Sequence, residues 1–251
     1  EANDPEINGK PIIYGSAYMK DFETLLSQDP HVILLQELQM KKKHHPHQNT
    51  NGDILIDILN RISKRKWILA AFECISYGSC SAIIVRADLI TTSIHHKMKS
   101  TNIWKSITGK GYRGRPIAIA DITWLSKQTT RIISLHSPHI NRFWVESDNL
   151  SKFIVSIDKI IGYNKENYIV GGDFNANNIL GKKMVALNVL LSNGTQLRCP
   201  KDAHKKSTSI YNSNNPFDYI FATSLRARRP IGFTPIIVGE YKGAWFIKKK
   251  K

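Results

Sequence analysis

"YIVGGDFNANN" (Tyr168–Asn178) runs from an apolar stretch through two glycines into an acid, an aromatic and an amide. A short Ile/Val-rich run bounded by Gly reads as a buried strand. Its end then presents Asp173 and Asn175 side by side. Gly, Asp and Asn are common turn formers whose side chains bond their own backbone, so a plain turn accounts for the composition. It does not account for the other apolar runs that meet a chemically loaded residue in the same way.

"VILLQELQM" (32–40) runs into Gln36 and Glu37, "RIISLHSPH" (131–139) delivers His136, and in "NNPFDYIF" (214–221) Asp218 stands at the head of an apolar run. A residue at the end of a buried strand sits at the edge of a sheet, where the active sites of layered α/β folds collect. Singly, Glu37 reads as a surface acid, His136 as a hydrogen-bonded core histidine and Asp218 as a turn former. Together they supply hard oxygen ligands for Mg²⁺, a nitrogen donor for a phosphate oxygen and an acid to orient water, which is how phosphoryl chemistry is commonly arranged.

Further apolar runs, "SAIIVR" (81–86) and "PIAIADITW" (116–124), read as strands. Between the strands, helical spacing is read at 19–28, 53–64, 145–161 and 183–193, and in the third Leu150, Phe153, Ile154 and Ile157 share one face. Strands packed between helices predict an α/β layered fold. No linker-like stretch divides the chain, so residues 1–251 are expected to form a single domain.

The chain carries 36 Lys+Arg against 20 Asp+Glu, a net charge of +16. Such a field attracts phosphate polymers first and anionic lipid surfaces second, and a basic surface kept for solubility is the plain alternative. No apolar stretch is long enough for a transmembrane helix. Three cysteines are too few for a disulfide scaffold: Cys74 and Cys80 either close one small loop, leaving Cys199 free, or do not. The chain opens at Glu1 without an initiator Met, so secretion or processing from a precursor is expected.

The motifs "LLQE", "LHSP", "GGDFNA" and "FDYIF", in this order from about Ile12 to Ile247, resemble the endonuclease/exonuclease/phosphatase superfamily with the DNase I-like fold. The resemblance implies a four-layer α/β/β/α sandwich. It implies that Glu37 binds a catalytic Mg²⁺, with Mn²⁺ or Ca²⁺ as substitutes, that Asp173 orients or deprotonates the attacking water, and that Asn175 contacts phosphate or metal. His136 matches a histidine that touches the phosphate, and Asp218 matches the acid that pairs with a catalytic histidine. "GRPIAIADI" (114–122) is similar to the cytolethal distending toxin B subunits, which makes Arg115 a phosphate-binding residue, suggests partner toxin subunits and points to action in a target-cell nucleus. "VGGDFNANN" is similar to the endonuclease domains of non-LTR retrotransposons.

The chain departs from the superfamily near its end. Where members carry Ser-Asp-His before the last strand, this one reads "VGEYKG", so Glu240 and Tyr241 stand in for the acid and the histidine. The asparagine of the first strand is also missing, with Tyr14 and Ser16 in "PIIYGSAY". A phenol with an ordinary pKa near 10 does not carry protons at neutral pH as an imidazole does. The expected function is a Mg²⁺-dependent phosphodiesterase that nicks DNA. The alternatives are a catalytically degenerate module that binds nucleic acid or protein, and a phosphoinositide or sphingomyelin phosphodiesterase.

Overall fold

The computed structural model describes residues 6–7, 10–11, 26–27, 29–39, 51–74, 79–112, 115–140, 142–146, 148–163, 165–176, 178–199, 218–223, 231–238 and 241–249. The Ile/Val-rich runs pair because β-branched side chains pack well on a pleated, buried surface. Seven strands form the larger sheet: β6 (Ile90–His95), β7 (Ile117–Trp124), β8 (Thr129–His136), β9 (Asn167–Asp173), β10 (Val189–Leu190), β11 (Gln196–Arg198) and β12 (Asp218–Thr223). Their order is β10-β11-β12-β9-β8-β7-β6, antiparallel except for β8 and β9. The parallel pair needs a crossover, which α3 (Asn149–Ile161) supplies, following α1 (Asn51–Ile62) and α2 (Ser100–Thr108) in the chain.

The second sheet is antiparallel, with β13 (Ile231–Val238), β14 (Tyr241–Lys249), β3 (Val32–Gln39), β5 (Ser79–Arg86) and β4 (Trp67–Cys74) in that order. Two further short strands, β1 (Glu6–Ile7) and β2 (Lys10–Pro11), pair with each other. Val32, Leu34, Ile83 and Val85 of this sheet share one buried cluster with Ile119, Ile133, Leu135 and Val170 of the larger one. Phe153, Ile154 and Ile157 of α3 and Trp104 of α2 join the same cluster, while Leu59 of α1 packs with Ile33, Trp67 and Ile84. Helices and sheets therefore stack as the expected α/β/β/α layers.

Helix α3 buries the face read from its spacing, Leu150, Phe153, Ile154 and Ile157. Burying each such side chain stabilises by about 1.5–3 kcal/mol, which holds a 13-residue helix that would be marginal alone. The helix expected at 183–193 is different: α4 (Asn178–Ala186) ends early, and Val189–Leu190 turns through Gly194, at φ +80°, into a hairpin with β11. A left-handed turn residue beyond the apolar run outweighs the 3.6-residue pattern there. Of the helix expected at 19–28, Leu26 and Ser27 are described and helical. Helix α2 and strands β4 and β6 escaped the sequence reading. The edge strand β6 (ITTSIH) has residues half-buried or exposed throughout, so it carries no apolar run.

Arg131, with no exposed side-chain area, ties three strands to α3 at the end of the sheet away from His136. Its Nε and Nη2 donate to Asp121 at 2.8 and 3.0 Å, and Nη1 donates to Asp158 at 2.5 Å and to the Tyr163 carbonyl at 2.9 Å. The Tyr163 hydroxyl donates to Asp121 and the Tyr168 hydroxyl to Asp158, each at 2.7 Å. Burial works against the charged form of Asp121, but the bonds from Arg131 and Tyr163 and the guanidinium charge bring its carboxyl down to about 2. Burial pushes Asp158 up instead, despite Tyr168 and Arg131.

The cysteine alternatives resolve: Cys74 and Cys80 form a disulfide across the β4–β5 hairpin, and Cys199 is a free, buried thiol that burial pushes up to about 12.

Candidate active site

Three of the expected site residues form a row across adjacent strands. His136 on β8 lies opposite Asp173 on β9 in the parallel register, and Asp173 lies opposite Asp218 on β12 in the antiparallel one. All three are buried, at 3%, 1% and 1% exposure, whereas Arg115 and Asn175 beside them are half-buried.

The Asp173–Asn175 stretch divides its labour residue by residue. Phe174 is driven into the core, where its ring packs against Trp144, Tyr219 and Phe221 with centroids 5.1, 6.1 and 5.6 Å away. That anchor holds its two neighbours at the sheet edge. Asn175 adopts φ +49°, a left-handed conformation that Asn tolerates better than most residues. Its N–H donates to Asp173 Oδ1 at 2.8 Å and its Nδ2 to the Ser137 carbonyl at 2.5 Å. The turn reading of this stretch is thus correct as local structure, and the turn serves to lock the acid and the amide in place. Asp173 Oδ2 faces His136 Nε2 at 3.7 Å.

The loop after His136 is held from below. The Ser137 N–H donates to the Asp173 carbonyl at 2.7 Å, and the Trp144 indole donates to Ser137 Oγ at 2.8 Å. Arg115 is set by its own backbone: its carbonyl accepts the Trp104 indole N–H at 2.8 Å, and the next residue, Pro116, accepts the His136 N–H at 3.1 Å. Arg115 Nη1 rests against His136 Nε2. A guanidinium has donors only, so in that contact Nε2 accepts.

Gly172 explains the second glycine of the motif. It sits at φ +137°, and a Cβ there would fall 2.1 Å from the Leu135 carbonyl oxygen and 3.1 Å from the Gln36 amide. Gln36 in turn donates to Ser134 Oγ at 2.8 Å, bridging the two sheets two residues before His136. The Gly-Gly pair was the available signal for this close approach, but Gln36 and Ser134 were legible only as neighbours of motif residues. Gly172→Ala is expected to cost about 1–3 kcal/mol, a thermal midpoint lower by roughly 2–4 °C per kcal/mol. An unchanged midpoint would show that the strand relaxes around the methyl group.

Glu37 lies on β3, one residue past Gln36, and its side chain is outside the description. Tyr241 opens β14, which pairs with β3 through Phe246 and Ile33 in antiparallel sense, so its backbone lies toward the Glu37 end of that strand. Glu240, Tyr14 and Ser16 lie outside the described residues, as do Lys41, Lys42, Lys43, Arg113, Lys205 and Lys206, loop residues that the sequence, together with Arg142, offers as basic flanks of the site. Arg142 is exposed, and among the described residues no contact joins it to the row.

Among solved structures, the chain is similar to an endonuclease/exonuclease/phosphatase family protein from Leptotrichia buccalis, at 13% identity over 96% of each chain with a TM-score of 0.55. A family protein from Bacteroides thetaiotaomicron aligns at 14% identity over 93% of this chain and 86% of that one, with a TM-score of 0.54. The chain has the endonuclease/exonuclease/phosphatase fold. Truncated TDP2 of Caenorhabditis elegans shares it, at 14% identity over 94% of this chain and 93% of that one, with a TM-score of 0.52. No family model and no curated sequence matches the chain. The likeness is therefore one of the endonuclease/exonuclease/phosphatase fold, and the chemistry rests on the side chains at the sheet edge.

Those side chains fit a divalent cation. Like charges directly opposite in a sheet are destabilising, and burial raises that cost, so the Asp173–Asp218 pair favours a cation beside it. Among the described residues no group of three or more His, Cys, Asp or Glu is arranged to hold a metal. Mg²⁺ does not require one, since it keeps several waters and takes one or two carboxylates with substrate phosphate.

Proposed function

We propose that this chain is a divalent-metal-dependent phosphodiesterase that nicks DNA. The observation that carries the reading is the in-register row His136–Asp173–Asp218 with Arg115 on His136. Asp218 and Glu37 would hold Mg²⁺, which when bound neutralises charge on the phosphoryl oxygens. The chain's own residues do the rest. Asp173, with Oδ1 committed to the Asn175 N–H, takes the proton of the attacking water as its oxygen bonds to phosphorus; the P–O bond to the leaving strand end breaks, and that end is protonated by solvent water. Arg115, held by its contact with His136 Nε2, donates to the non-bridging oxygens, and the Asn175 amide, fixed by Ser137, orients the phosphate. The net charge of +16 draws a polyanionic substrate to this edge.

The test is conversion of supercoiled plasmid to open circle in Mg²⁺. Nicking is expected, and EDTA is expected to abolish it, with Mn²⁺ or Ca²⁺ compared as substitutes. Nicking no faster than that of Asp173→Asn under the same conditions would sink the proposal, as would phosphoinositide hydrolysis far above DNA nicking.

The Cys74–Cys80 disulfide supports placing the protein in an oxidising, extracytoplasmic compartment, where such bonds persist. Thiol alkylation of the unfolded protein without reductant is expected to label Cys199 alone. Labelling of all three cysteines in protein recovered from its native compartment would remove that support.

A further inference from the structure

From Leu89 to Ala120 the chain contains no Asp or Glu, while Lys97, Lys99, Lys105, Lys110, Arg113 and Arg115 contribute six positive charges. This segment carries α2 and leads directly into the active site. Ser100 Oγ accepts the Ile117 N–H at 2.9 Å, the Trp104 indole donates to the Arg115 carbonyl at 2.8 Å, and the Arg115 guanidinium rests on His136. Helix α2 is thereby fixed beside β7, the strand next to the catalytic row.

The two faces of α2 differ sharply. Ile103 and Trp104 are buried, whereas Asn102, Lys105 and Ser106 are exposed, as are Lys99 at the N-cap and Lys110 just past the C-cap Gly109. Among the described residues no carboxylate lies within ion-pairing distance of Lys99, Lys105 or Lys110. Lys97 is set apart by the nearby Glu73, a carboxyl that burial pushes up against the influence of that lysine.

We infer that the exposed face of α2 with Lys105, together with Lys99 and Lys110 at its two ends, is the track on which the phosphate backbone of a DNA duplex lies as it enters the catalytic row. The inference rests on the nuclease reading for the identity of the polyanion. Lys99 and Lys105 are six residues apart, about 9 Å along a helix axis. Phosphates on one strand advance about 3.4 Å each, so the lysines address different phosphates. Contacts of this kind position a duplex without reading its sequence. An anionic membrane fits less well: interfacial helices turn an apolar face to the bilayer, and the apolar face of α2 is spent on the core.

Duplex binding by fluorescence anisotropy, measured across about 50–200 mM salt on the full chain, tests this. The triple variant Lys99→Gln, Lys105→Gln, Lys110→Gln is compared with a control that removes the same charge at the opposite end of the sheets, Lys66→Gln, Lys127→Gln, Lys159→Gln. Each neutralised phosphate contributes about 0.9 to the salt slope. The α2 variant is therefore expected to lose about 2–3 from that slope and at least tenfold in affinity near 100 mM salt. The control is expected to stay close to the parent, and thermal unfolding checks that both remain folded.

Equal weakening by both variants would reduce the effect to net charge and overturn the inference. So would an α2 variant that binds like the parent, or α2-dependent binding to phosphatidylserine vesicles tighter than to DNA. The parent's own nicking separates the two proposals. A parent that binds duplex through α2 and never nicks it retains the track and loses the catalytic reading. A parent that nicks while the α2 variant binds unchanged does the reverse.

Discussion

Asp173→Asn is expected to leave the protein folded and to lower plasmid nicking by about 10²–10⁴, the range that a positioned acid or base contributes. The substitution keeps the shape of the side chain and an Oδ1 that accepts the Asn175 N–H, a bond of 2.8 Å in the parent. The backbone bond from the Ser137 N–H to the residue 173 carbonyl does not involve the side chain. What disappears is the second carboxylate oxygen, the one facing His136 at 3.7 Å, and with it the capacity to take a proton. Removing one of two opposed buried acids also relieves their repulsion, so the thermal midpoint should hold or rise while activity falls. Parental nicking by a folded Asp173→Asn protein would move the base elsewhere.

Arg131→Leu is expected to produce the largest loss of stability, about 3–5 kcal/mol, because it strips buried Asp158 of its basic partner and leaves buried Asp121 only His96 at 3.0 Å and Lys165 at 3.7 Å. Both Asp121 and Asp158 would lose the guanidinium that bonds them at 2.5–3.0 Å. At roughly 2–4 °C per kcal/mol, the thermal midpoint should fall by about 10 °C. Replacing Asp121 and Asp158 by Leu in the same protein should recover much of that loss, since apolar groups of similar volume often substitute for a buried ionic cluster without penalty. A drop of only a degree or two for the single variant would mean that water reaches the two acids. The cluster lies at the far end of β8 from His136, so activity per folded molecule should persist below the transition.

The strands that carry the site were legible because their information is local. Ile and Val in runs of four to six residues, closed by Gly, Pro or a polar residue, specify buried strands whatever their neighbours are, and β3, β5, β7, β8, β9 and β12 all follow that rule. The face of α3 was legible for the same reason. Strand β6 was not, since its residues owe their conformation to one hydrogen-bonded neighbour and not to their own pattern. The turn at Gly194 overrode a helical run that, taken by itself, was a sound expectation.

For the site, chemistry at the strand ends could be read from residue types, and the motifs carried His136, Asp173, Asn175 and Asp218 to a common edge. That His136, Asp173 and Asp218 stand in one row depends on the registers of β8, β9 and β12, which bring together residues up to 82 positions apart. The Gln36–Ser134 bridge, 98 residues in span, and the clamp of Arg131 on Asp158, 27 residues away, belong to the same class. Local sequence determined which segments became strands and which acids and histidine would end them. Only the tertiary structure decided which faces met, how closely Gly172 let the sheets approach, and that α2, with its basic exposed face, would be fixed beside β7, next to the strand of His136, because pairing register and sheet stacking are set by long-range burial and not by neighbouring residues.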